Sequence, residues 1–123
     1  MNGRQLVAAW RAAWQSAEPA RVAALYCADA THSSARVLAV WPELGRDQLR
    51  GLAEIAAYAA RAFANGRRLA FEPIQVFEAA NAVAVEYWSE NTLAPGKRAR
   101  VMECFDLEGG KIAACRVFHS AAH

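Results

Sequence analysis

The chain has 123 residues, enough for one domain with its own core, and 55% of them are hydrophobic against 21% charged. A formal net charge of +2 is too small for a nucleic-acid binder, and no stretch approaches the ~20 apolar residues that a membrane span needs. Cys27, Cys104 and Cys115 are odd in number and have no metal-ligand spacing, which argues against a disulfide framework and a metal site and for a reducing cytoplasm.

The N-terminus runs directly into an amphipathic pattern carrying Arg4 and Arg11, so no signal segment is expected. From Leu6 to about Ala17, the residues Leu6, Val7, Trp10, Ala13, Trp14 and Ala17 recur at helical spacing and predict a first helix. Ser16-Ala-Glu-Pro19 interrupts it, and Pro19 suits the first turn of a short second helix ending near Ala28-Asp29. Thr31 to Val40 alternate, which predicts a strand or extended segment with His32 and Ser34 on one face. Trp41-Pro-Glu-Leu-Gly45 reads as a loop and Asp47 as the N-cap of a third helix running to Phe63, with Leu52, Ile55, Ala56, Ala59 and Phe63 as its apolar stripe. Asn65-Gly66 reads as its left-handed cap. Leu69 to Phe77, Val83 to Ser89, Arg100 to Leu107 and Lys111 to His119 are strand-like, broken at Ala79 to Asn81, Pro95-Gly96 and Gly109-Gly110. The last pair supplies the positive φ of a tight hairpin. Arg67-Arg68 and Lys97-Arg98 with Arg100 fall in turn regions and read as solvated charge. Helices first and antiparallel strands afterwards predict a single α+β domain over 1–123.

Three local signals sharpen this order: Leu25-Tyr-Cys-Ala-Asp-Ala-Thr31, Gly45-Arg-Asp47, and Phe105-Asp-Leu-Glu-Gly-Gly-Lys-Ile112. Together they resemble the nuclear-transport-factor-2-like superfamily in its SnoaL-like, polyketide-cyclase-like branch, over nearly the whole chain. The resemblance implies a cone-shaped α+β barrel, with three N-terminal helices packed on a strongly bent, mixed and mostly antiparallel sheet. It also implies a pocket at the open end and a homodimer through the outer sheet face. That superfamily includes isomerases, cyclases, hydrolases and members with no chemistry, so fold alone does not give function. Against its steroid isomerases, the general-base position falls on Ser34 and the oxyanion-hole tyrosine on Trp10, both departures from the pattern. The protonated aspartic acid falls on Glu103 and an aromatic wall residue on His119. An epoxide-hydrolase-like set would need Glu86, Glu103 and Arg116 on one face, which strand alternation opposes.

Glu103 leads the candidate acids and bases. An outward position makes it a solvated carboxylate; an inward one, which the resemblance implies, raises its pKa by desolvation toward the range of a general acid or base. His119 is a second catalytic candidate, a proton carrier at the pocket mouth and a near neighbour of Glu103 across the hairpin. His32 is a third. Trp10, Trp14, Ser34, Phe63, Phe105 and Val117 lie on predicted inward faces and are expected to line the pocket, although the tryptophans also read as plain core. Trp88 with Glu86 and Glu90, or else Tyr87 with Val85 and Val83, completes the wall. Cys115 shares the inward face and reads as filler. The expected function is an apolar pocket for a small hydrophobic or carbonyl-bearing molecule, with proton-transfer isomerase or aldol-type cyclase chemistry and neither metal nor cofactor. The alternative is a non-catalytic ligand-binding or dimerisation module; nucleic acid and membrane are not expected partners.

Overall fold

The computed structural model describes residues 2–64, 70–90, 96 and 98–120. Helix α1 spans Gly3–Ser16, α2 Pro19–Ala23, strand β1 Tyr26–Ser33, helix α3 Ala35–Val40, strand β2 Gln48–Arg50 and helix α4 Gly51–Ala64. Strands β3 (Ala70–Ala79), β4 (Ala82–Glu90), β5 (Arg98–Glu108) and β6 (Lys111–His119) follow.

Asn2 and Gln5 open α1 by reciprocal capping, each side chain accepting the other's backbone N–H at 2.8 Å. Its expected apolar face is the buried one, with Leu6, Val7, Trp10, Ala13 and Trp14 all inside. The Glu78 carboxylate accepts the Arg4 N–H at 2.8 Å and ties the start of this helix to β3.

The next segment departs from the expected pattern. The second helix stops at Ala23 rather than near Ala28, because Tyr26 is buried and its backbone pairs with Ile112 of β6. The strand that alternation places at Thr31 to Val40 runs instead from Tyr26 to Ser33. Ser34 then accepts the Arg36 N–H at 3.1 Å and caps α3, which buries Val37. Asp47 is not a helix cap: its carbonyl accepts the Ser34 N–H at 2.9 Å, and Gln48–Arg50 pairs with β1. The long helix opens at Gly51, whose φ of 82° favours glycine, and Glu54 accepts the Arg50 N–H at 2.7 Å one turn in. Its buried stripe is Ile55, Tyr58, Ala59 and Ala62, while Leu52 is exposed. The Asn65-Gly66 cap and Pro95 lie outside the described residues.

The strands form one sheet in the order β2-β1-β6-β5-β4-β3, with β1 parallel to β6 and every other pairing antiparallel. Two features of the expected architecture are corrected. Only α1 and α2 precede the first strand, since the helix expected as the third, α4, begins after β2. The cone-shaped barrel is not formed either: β2, three residues long, and β3 are free edges of an open sheet that is not strongly curled. Helices α1 and α4 cover its inner face, α1 against β3 and β4 and α4 against β1. No helix among the described residues is long and apolar enough to cross a membrane.

Two irregularities set what the inner face carries. In β1, Tyr26 pairs with Ile112 and Thr31 already with Ala114, so the strand bulges around exposed Ala28 and Asp29. In the last hairpin, Leu107 pairs with Ile112 but Asp106 with Ala114, leaving Ala113 without a partner. Beyond that bulge Glu103 lies opposite Val117 and Phe105 opposite Cys115.

Candidate active site

Between the inner face and helices α1 and α4 lies a cavity with an open mouth. Trp10, Trp14, His32, Ser34, Phe63, Glu103, Val117 and His119 all line it. Trp88 and Phe105 do not. Because Tyr87 points inward, its neighbour Trp88 points outward, where the Arg98 and Arg100 guanidinium groups stack on its ring at 4.4 and 4.8 Å. Phe105 is fully buried beneath the wall, edge-on to Trp10 at 5.6 Å between centroids.

At the floor, four inward side chains from four adjacent strands stand in a diagonal row: His32 of β1, Cys115 of β6, Glu103 of β5 and Tyr87 of β4. The Glu103 carboxyl accepts from the Tyr87 hydroxyl at 2.8 Å and from the Cys115 thiol at 3.2 Å. The Trp10 indole N–H makes no hydrogen bond, yet lies close enough to the same carboxyl to favour its ionised form. Burial outweighs all three and pushes the Glu103 pKa up to about 7. Tyr26, Tyr87 and Cys115 are held protonated, with burial again the largest cause. His32 meets the Tyr26 hydroxyl through Nδ1 at 3.0 Å, and burial lowers its pKa to about 4, so the ring is neutral at pH 7. Aromatic rings close the remaining walls: Trp10 packs on Phe71 at 4.7 Å and Trp14 on Phe63 at 5.5 Å.

The expected pairing of Glu103 with His119 is corrected. His119 sits opposite Val101, one inward position beyond the Glu103–Val117 pair, and the carboxyl is bonded to Tyr87 and Cys115 instead. Nor is the His119 pKa raised by a carboxylate neighbour; burial first, and then the Arg36 charge, lower it. With Arg36, Ser89 and Val117, His119 belongs to the half-buried rim of the cavity.

One donor atom each from His32, Glu103 and Cys115 lies within 4.8 Å of the others. Such a nitrogen, oxygen and sulfur set is of the type that zinc takes. Here it is internally hydrogen-bonded, with the thiol protonated and donating to Glu103.

A family model described as a SnoaL-like domain matches residues 7–115. The chain belongs to the SnoaL-like family. Among solved structures it is similar to a SnoaL-like protein of unknown function from Burkholderia thailandensis, at 21% identity and a TM-score of 0.78, over 97% of this chain and 95% of that one. A protein from Sphaerobacter thermophilus is similar at 17% identity and a TM-score of 0.76, over 98% of both chains. A protein with a ketosteroid isomerase-like fold from Catenulispora acidiphila, in complex with trimethylamine, is similar at 20% identity and a TM-score of 0.71, over 94% of this chain and 85% of that one. At these identities the likeness is one of fold. No curated protein matches the chain.

Sequence reasoning about this SnoaL-like chain missed Tyr26, Arg36, Tyr58 and Phe71 at the site. Tyr58 had a signal: it stands three residues after Ile55 and four before Ala62, so turning the α4 stripe slightly brings it in. Arg36 had none, because its segment alternates like a strand and only the Ser34 cap turns it into helix.

Proposed function

We propose that the cavity binds a small hydrophobic molecule bearing a carbonyl, and that Glu103 moves a proton on the carbon beside that carbonyl, as in an isomerase or aldol-type cyclase. The observation that carries this reading is the Glu103 carboxyl itself, buried at the floor of an aromatic cavity with a pKa of about 7. Such a group is ionised often enough to act as a base at neutral pH and is more basic than an ordinary carboxylate. The Glu103 carboxylate takes the proton, the C–H electron pair passes into the enolate, and the protonated carboxyl returns the proton to another carbon. In the cyclase variant the enolate carbon instead attacks a second carbonyl, whose C=O π pair moves onto its oxygen, and that alkoxide takes the proton back from Glu103. Ser34, whose oxygen caps α3 while its own proton stays available, or neutral His32 donates to the enolate oxygen. In this reading His119, which lines the cavity, exchanges protons between the site and solvent.

The test is deuterium exchange in D2O, followed by NMR, at the carbon beside the carbonyl of small aryl ketones and keto acids. Wild type should accelerate exchange and Glu103→Gln should lose ~100-fold or more of that rate. Equal rates in the two proteins would remove Glu103 from the chemistry. Tight binding without any acceleration would favour a ligand-binding module.

The outer sheet face supports a homodimer. Phe118 and Phe77 stand 58% and 49% exposed on it, opposite Met102 and Ala84. Sedimentation at micromolar concentration should give twice the 13.4 kDa chain mass; a clean monomer would sink this proposal.

A further inference from the structure

We infer that the molecule this cavity takes carries a carboxylate, seated on Arg36 at the rim, with its apolar body among Trp10, Trp14 and Phe71 and its reacting carbon toward Glu103. The inference rests on the proton-transfer reading above and names the substrate class for the same cavity.

Its basis is the charge of the lining. Arg36 is the one permanently charged group among the described residues that line the cavity. Both histidines there have lowered pKa values, and Glu103 is held near 7. While Glu103 is protonated the cavity therefore has a net positive field with its source on one side. That field reaches the interior, because the Arg36 charge acts on both His119 and Tyr87. No carboxylate of a described residue lies within 4.0 Å of the Arg36 guanidinium, although Arg46, Arg98, Arg100 and Arg116 are each paired with one. A planar five-donor fork at the rim of an apolar cavity matches a carboxylate in charge and shape. It also fixes orientation: an anionic end on Arg36 directs the rest of a small molecule inward, across the aromatic walls to the floor. The same cation would favour the negative charge that develops when a proton leaves the substrate, so binding and chemistry draw on one field.

Phenylacetate and its uncharged isostere phenylacetamide test this by titration calorimetry or ligand-observed NMR. The measurement is made at pH 6, where Glu103 is held protonated and the probe acid is ionised. Wild type should bind the carboxylate ~10-fold or more tighter than the amide. Arg36→Gln should abolish that preference, the carboxylate losing ~10-fold or more in affinity and the amide far less, and continued binding of the amide shows that the variant cavity is intact. Arg36→Lys, which keeps the charge without the fork, should retain part of the preference and serves if the glutamine variant fails to fold. Equal binding of both probes by wild type, or a preference that survives Arg36→Gln, overturns the inference. Binding of neither probe overturns it together with the cavity as a ligand site. Failure of the proton-transfer reading alone shows elsewhere, as exchange that Glu103→Gln does not slow.

Discussion

Glu103→Gln should gain stability relative to wild type as pH rises, by about 3 kcal/mol between pH 4.5 and pH 8, when urea unfolding of the two is compared pH by pH. The sign follows from proton counting. The native carboxyl titrates at about 7 and the ordinary value is 4.5, so between those pH values the unfolded chain has released a proton that the native protein keeps. Wild-type stability therefore falls as pH rises through that window, and the amide variant has no such loss. His32 runs the other way: its native pKa of about 4 lies below the ordinary 6.5, so the stability its neutral ring contributes is lost as pH falls from 6.5 toward 4. In wild type the two slopes oppose each other between pH 4.5 and 6.5 and flatten the profile, whereas the variant keeps only the His32 slope. Other carboxylates, such as Glu54 with its pKa lowered to about 2 by Arg46, are common to both proteins and cancel in the difference. Parallel stability curves from pH 4.5 to 8 would mean that the carboxyl is not desolvated.

The second large effect separates the two faces of the sheet. Trp10→Ala should cost about 3–5 kcal/mol, the range for removing a large aromatic side chain from a packed core. Trp10 is 2% exposed, with its ring against Phe71, Tyr87 and Phe105. Trp88→Ala should cost only about 1 kcal/mol, since that ring contributes chiefly its contacts with Arg98 and Arg100 at the surface. Urea unfolding of both variants measures this, and similar costs would show that the inner and outer faces of β4 are assigned the wrong way round. Water admitted beside Glu103 in Trp10→Ala should also move that carboxyl back toward ordinary values, because burial is what raises it.

The C-terminal half was readable because each strand there carries a regular signal. Val83, Val85 and Tyr87 alternate, and Gly109 and Gly110 adopt the positive φ, 59° and 79°, expected of the hairpin turn. The choice between Tyr87 and Trp88 was not readable, since each face of β4 carries a large aromatic ring, Trp88 beside Glu86 and Glu90 on one and Tyr87 beside Val85 on the other, and only the covering helices decide between them. The first half was harder for local reasons. The bulge in β1 breaks its alternation, and Ser34 has the same residue type whether it continues a strand or caps a helix. Asp47 suits a helix cap, but its backbone is engaged by Ser34 and the three residues of β2 are too few to show a period. At the site, the inward position of Glu103 followed from the family resemblance. Its bonded partners depend on strand register, and a single unpaired residue moves that register by one.

That residue makes the chemistry of the floor a question of parity. If β6 continued the pairing of Leu107 with Ile112 without Ala113 as a spare, Glu103 would stand opposite Arg116 rather than Val117. The odd-numbered set Cys115, Val117 and His119 would then exchange places with Ala114, Arg116 and Phe118. A guanidinium now paired with Asp106 on the outer face, at 2.6 Å, would lie against the buried carboxyl and keep it ionised. The proton-holding acid would become half of an ion pair without the substitution of any side chain. The site is thus less sensitive to which residues occupy β6 than to how many of them separate the turn from Cys115.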